Sequence, residues 1–191
     1  DIYTISETNE GYRLQTTQTE NDTLAYMIAE EIKSGRILEL LNQKETTDDR
    51  IFNFTSADQV YEITLDENDV ALGDTATGRY TINGVKTDDG MSTIDMAKFA
   101  GFVLPIASEL NLNNVILTNA KDNKVLTITS GGATVNLKNA FIDGNVSGAS
   151  GKLTAKEGTS TVAGNVTSRT LETAADAVLN ILGDTVEGTT K

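Results

Sequence analysis

Four oxygen-bearing side chains crowd one short connection. Asp66, Asn68, Asp69 and Asp74 all fall within DENDVALGD at 66–74. Hard oxygen donors this close together are the chemistry of a calcium site. EF-hand spacing is not met, because Val70 stands where an oxygen ligand belongs and no Glu closes the loop. These four residues are the candidate metal ligands, and calcium is the one cofactor in view. A hydrophilic turn is the plainer reading of the same residues. Asp88 and Asp89 invite the same two readings.

Other chemistries lack their parts. The chain has no histidine, no cysteine and no tryptophan. That removes the imidazole base, the thiolate nucleophile and the soft metal ligands. GASGKLT at 148–154 has the outline of a phosphate-binding loop, but Val146 replaces the leading glycine and Leu153 follows the lysine. A tight corner accounts for it better. Paired carboxylates can hydrolyse a glycoside, yet Asp and Glu total 28 and none is singled out by position. No catalytic or cofactor-binding residue is assigned, and the expectation is a protein that is not an enzyme.

Charge narrows the partners. Fifteen Lys and Arg against those acids leave a net charge of −13. Nucleic acid and anionic lipid would both be repelled by such a surface. No apolar run reaches the roughly 18–20 residues a membrane helix needs; FAGFVLPI at 99–106 is the richest, and Pro105 interrupts it. The partners expected are copies of the same chain or other surface-structure subunits, with no nucleic acid and no membrane insertion. A Thr- and Gly-rich, cysteine-free acidic chain fits a cell-surface or extracellular location.

Elements must position whatever these residues do. Tyr3 and Ile5 alternate with Ile2 and Thr4, and Tyr12 and Leu14 follow a turn ending at Gly11, which predicts two paired strands. Leu24, Met27, Ile28 and Ile32 recur at helical spacing, which predicts an amphipathic helix over 21–42. Period-two patterning then returns at Tyr61, Ile63 and Leu65, at 70–72 and at 80–82, with Asn83-Gly84 as a hairpin signal. Ser92 to Asp95 reads as a capping box opening a second helix over 93–110. Leu171, Ala174, Ala175, Val178 and Leu182 form the stripe of a third, ended by Gly183.

Between the last two helices the sequence repeats itself. NVILTNA at 114–120 returns as TVNLKNA at 134–140, and GNV at 144–146 returns at 164–166. Leu126, Val146 and Val166 share one column of the same alignment. An interval near twenty residues suits stacked β-coils of three short strands each. It places Val115 beside Val135. An antiparallel sheet of similar hairpins is the alternative.

The expected fold is thus a β-rich α+β chain, with either a short solenoid of about 20-residue rungs or an antiparallel sheet, flanked by amphipathic helices. Residues 1–90 form an N-terminal α+β region, and 91–191 a helix, the β-repeat and a C-terminal helix. The expected function is structural: a surface-layer, filament, fibre or adhesin subunit that assembles through strand edges or coil ends. A glycan- or calcium-binding module of a secreted protein and a virion structural protein are the alternatives.

Overall fold

This computed structural model describes residues 2–8, 11–20, 23–32, 49–62, 78–97, 101–104, 108–129, 131–148, 150–184 and 186–190. Across them the chain is nearly all strand, and the one helical element is a 3-10 turn at Lys121–Asn123. It opens with β1 (Ile2–Thr8), β2 (Gly11–Glu20) and β3 (Thr23–Ile32), an antiparallel meander. The first hairpin is the one the alternation predicts, with Thr8 opposite Gly11. Strand β1 also lies parallel to β4 (Arg50–Phe54).

From β4 onward the chain winds in coils. The first described coil holds β4 and β5 (Val60–Glu62). The second holds β6 (Gly78–Asn83), the short β7 (Lys86–Thr87), β8 (Gly90–Asp95) and β9 (Phe102–Leu104). In the third come β10 (Ser108–Asn113), β11 (Val115–Thr118) and β12 (Lys124–Ile128). The fourth has β13 (Thr134–Lys138), β14 (Phe141–Ile142) and β15 (Asn145–Ser147). The fifth has β16 (Lys152–Glu157), β17 (Thr159–Val162) and the start of β18 (Val166–Thr173). Strand β18 carries on into the sixth coil, which β19 (Val178–Ile181) and β20 (Val186–Thr190) continue.

Corresponding strands stack in parallel and make three walls. The first wall runs β4-β6-β10-β13-β16-β18, the second β5-β8-β11-β14-β17-β19, and the third β9-β12-β15-β18-β20. Burial alternates along the strands, as in the inward-outward pattern of β10, so each wall turns one face to the core. Aliphatic columns result. Ile82, Leu112 and Leu137 are register partners on the first wall, Ile94, Leu117 and Ile142 on the second, and all six are fully buried. Full burial of one such side chain contributes about 1.5–3 kcal/mol, so these columns are the main stabilising feature of the stack.

The coils shorten along the chain. On the first wall the step is 30 residues from Ile82 to Leu112, 25 from Leu112 to Leu137 and 18 from Leu137 to Ala155. The third wall steps 24 from Phe102 to Leu126 and then holds a step of 20 through Val146 and Val166. The sequence alignment is therefore correct for GNV: the Gly164 N–H donates to the Gly144 carbonyl at 2.9 Å, and that of Gly183 to Gly164 at 3.0 Å. It is incorrect for the seven-residue phrase. Val115 lies beside Ser92 on the second wall, whereas Val135 lies between Leu110 and Leu153 on the first. What the two phrases share is a strand followed by a corner. Asn119 and Asn139 both take a left-handed φ, of 64° and 47°, and Ala120 and Ala140 behind them are buried. Asn tolerates that conformation better than most residues.

The three predicted helices are replaced by strands, so the α+β expectation is overturned. Of 21–42, residues 23–32 are β3, and the rest lie outside the described residues. Of 93–110, the described parts belong to β8, β9 and β10. Ser92 and Asp95 do cap something, but it is a β corner. Ser92 Oγ accepts from the Val85 N–H at 2.8 Å and donates to the Ser56 carbonyl at 2.7 Å, while Asp95 Oδ1 accepts from the Ala97 N–H at 2.8 Å. Of the 171–182 stripe, Leu171 lies on β18 and Val178 on β19, Ala174 and Ala175 fall between the strands and Leu182 after them, and Val178 and Leu182 are exposed.

Asn83-Gly84 is not a hairpin turn either. Strand β6 pairs with β4 and β10, and the hairpin joins β7 to β8 with Thr87 opposite Gly90. Neither Asn83 nor Gly84 has a positive φ. Gly84 is small for another reason: a Cβ there would stand 2.2 Å from the Asn114 carbonyl of the next coil.

At the start of the stack, the meander folds over the first coil. The Tyr12 ring of β2 lies 5.8 Å from Tyr61, and Tyr12 Oη accepts from the Glu62 N–H at 3.0 Å. Phe54 meets Tyr61 edge-on at 4.8 Å, and Tyr3 stacks on Phe52 at 5.1 Å.

Candidate functional site

The outer face of the first wall carries polar side chains in rows. Asn113 Nδ2 donates to Asn83 Oδ1 at 2.8 Å, and Asn83 Nδ2 to Asn53 Oδ1 at 2.9 Å, an amide ladder over three coils. A second row runs beside it. Asn136 Nδ2 donates to Asn111 Oδ1 at 2.9 Å and to Glu109 Oε1 at 3.0 Å, and Asn111 Nδ2 donates to Thr81 Oγ1 at 3.3 Å. Arg79 Nε pairs with the Glu109 carboxylate, and Arg79 also reaches Asp49 at 3.5 Å. Its hydrogen bond to Glu109 raises the guanidinium pKa further above its ordinary value, so the arginine stays charged.

These rows line a shallow groove of about 500 Å³, with Asn111 and Asn136 among its lining residues and Arg79, Glu109, Lys138, Lys156 and Glu157 as its charged groups. A smaller hollow of about 210 Å³ adjoins at Thr154, Lys156 and Glu172. Asn136 and Thr154 are register partners on β13 and β16, only 8% and 3% exposed. Asn136 Oδ1 and Thr154 Oγ1 are both buried without a hydrogen-bond partner. One step further on, the ladder slips: Leu137 pairs with Ala155, but Lys138 pairs with Glu157. Lys156 is the extra residue of that bulge. Bulges re-aim side chains, and both Lys156 and Glu157 are exposed.

The far end of the stack is built differently. Val186 continues the inward column of Val146 and Val166 on the third wall, yet it is 51% exposed. Ile181 continues the column of Ile142 and Val162 and is only partly buried. Among the described residues β19 has no strand beyond it, and β20 pairs with β18 alone.

Asp66, Asn68, Asp69 and Asp74 lie outside the described residues, as do Ile63, Leu65 and 70–72. Among the described residues no group of three or more acids could hold a metal ion. Asp88 and Asp89 sit at the exposed tip of the β7–β8 hairpin, where the Asp89 N–H donates to Thr87 Oγ1 at 3.3 Å. GASGKLT is a corner leading into β16; a Cβ on Gly151 would stand 1.9 Å from Ile128 Cγ2. Sequence reasoning missed the groove. Its residues are ordinary polar types brought together by steps of 30, 25 and 18 residues, and no single period aligns them. Compared with protein-family models, curated proteins and solved structures, the chain matches none.

Proposed function

We propose that this chain is a non-enzymatic structural subunit of a cell surface or extracellular particle, and that it assembles through its coil end. The observation that carries this reading is the pair of core columns whose last members, Ile181 and Val186, lie partly or half uncovered on the sixth coil. Leu182, 64% exposed, adds to the same apolar end. Unpaired strand edges next to exposed aliphatic side chains recruit further strands. At the other end Tyr12 of the meander packs over Tyr61 of the first coil.

Magnitudes set the strength. Covering these three part-exposed aliphatic side chains gains about half of the 1.5–3 kcal/mol that full burial gives each, while association costs roughly 4–15 kcal/mol in lost freedom. Hydrogen bonding along β19 and β20 has to make up the difference, so the contact is weak and depends on concentration. A net charge of −13 on each subunit opposes it, and salt screens that repulsion beyond about 10 Å at 0.1 M.

Light scattering coupled to size-exclusion chromatography tests the proposal. Average mass rises with protein concentration and with ionic strength, and an Ile181→Asp/Val186→Asp variant stays monomeric under both. A wild-type chain that remains monomeric at every concentration and salt level overturns it.

A further inference from the structure

The geometry points to the first-wall groove as a binding site for a saccharide that carries a carboxylate. The inference does not rest on the assembly reading, because the groove lies on the flank of the stack and not at its end. Two polar atoms are left without partners on neighbouring strands, Asn136 Oδ1 in the groove and Thr154 Oγ1 in the adjoining hollow. Buried polar groups are nearly always hydrogen-bonded, and the exceptions ask for an explanation. Folding has already taken up the Asn136 amide hydrogens on Glu109 and Asn111. What remains is a carbonyl that accepts and a hydroxyl that both donates and accepts. Adjacent ligand hydroxyl groups satisfy that pair.

Charge selects among hydroxyl-rich ligands. Arg79 is engaged by Glu109, and Lys138 by Glu157 at 3.4 Å. Lys156 stands on the bulge between the two hollows with no ion pair among the described residues, facing the groove that Lys138 also lines. The groove holds three cations and two carboxylates. Glu172 of the adjoining hollow is itself paired with Lys152 at 3.3 Å, which leaves Lys156 as the cation open to a ligand. An ammonium group so placed takes a single anionic group, and a sugar that carries a carboxylate offers that anion together with ring hydroxyls for the asparagine and threonine. The Lys138–Glu157 pair is exposed on both sides and weak, so it swings aside for a ligand. No aromatic ring lines either hollow, and without a stacking platform the affinity is modest, about 1 mM for one sugar unit.

Titration of the isotopically labelled chain with a uronic-acid oligosaccharide, followed by NMR, tests this. Shifts concentrate at Asn111, Asn136, Thr154 and Lys156. The neutral oligosaccharide of the same sugar series binds about tenfold more weakly, and inorganic phosphate alone does not displace the ligand. Lys156→Ala lowers affinity for the acidic ligand about tenfold and leaves the neutral one unchanged. Thr154→Val separates a binding role from a structural one. It removes the orphan hydroxyl, so the melting temperature stays level or rises while affinity falls about fivefold or more. No saturable shift at either residue, equal binding of acidic and neutral sugars, displacement by phosphate, or affinity unmoved by both substitutions overturns the proposal.

Discussion

Gly164 shows how one residue governs a corner. A Cβ at that position would stand 2.2 Å from Asn145 Oδ1 and 2.4 Å from the Gly144 carbonyl, in the coil beneath. Both atoms are fixed, the carbonyl by the Gly164 N–H itself and the amide by the Asn165 N–H at 2.8 Å. Gly164→Ala therefore forces the coils apart and costs about 1–3 kcal/mol. Gly90→Ala is the matched control. Its nearest neighbour is the Ala57 carbonyl at 3.8 Å, and the change stays within about 0.5 kcal/mol. Urea unfolding of the two variants measures the difference; equal midpoints would show that Gly164 does not sit against the coil beneath. Two tyrosines give a residue-scale handle on pH. Burial raises the Tyr12 and Tyr80 hydroxyls above their ordinary value of 10.0, and for Tyr80 the neighbouring Arg50 pulls back only in part. A phenol that ionises later in the folded chain than in the unfolded one contributes stability below the unfolded value and loses it as pH climbs past it. Stability thus falls from about pH 10 upward, and an absorbance titration of phenolate shows a late-ionising fraction that merges with the rest in denaturant.

At the scale of elements, strands inside one wall were legible and strands across a corner were not. Tyr80 and Ile82, or Tyr3 and Ile5, announce themselves by strict alternation, and both pairs are buried as expected. Helical spacing misled over 93–110 because corners reset the phase. Ile94 lies on β8, Val103 on β9 and Leu110 on β10, whereas 23–32 of the first predicted helix is the unbroken strand β3. Leu110 and Leu112 lie two apart on β10, Val115 and Leu117 two apart on β11, yet Leu112 and Val115 are separated by three across the Asn113-Asn114 corner. Gaps of two and three in sequence imitate a helical stripe when the strands are this short. Capping residues misled for a related reason. Ser and Asp hydrogen-bond nearby backbone wherever the chain turns, so Ser92 and Asp95 mark a corner as readily as a helix start. The third wall was read correctly from Leu126 onward because its step there stays at 20; the groove on the first wall was not, because its step falls from 30 to 18.

For the whole molecule, the decisive property is that each coil covers the one before it. Tyr12 of the meander over Tyr61 at the first coil, against Ile181 and Val186 partly bare on the sixth, gives the stack a direction. Self-association through that bare end and saccharide binding on the flank follow from different parts of the same winding, so either can fail without the other. Both depend on the unequal coil lengths. Thr118 Oγ1 donates to Asp143 Oδ2 at 2.6 Å, a step of 25 residues, whereas a uniform step of twenty would set Thr118 against Lys138. The chain has no cysteine of its own, so paired substitutions report proximity cleanly. Thr118→Cys with Asp143→Cys closes a disulfide on mild oxidation, and Thr118→Cys with Lys138→Cys does not. A bond from 118 to 138, with none from 118 to 143, would contradict the winding described.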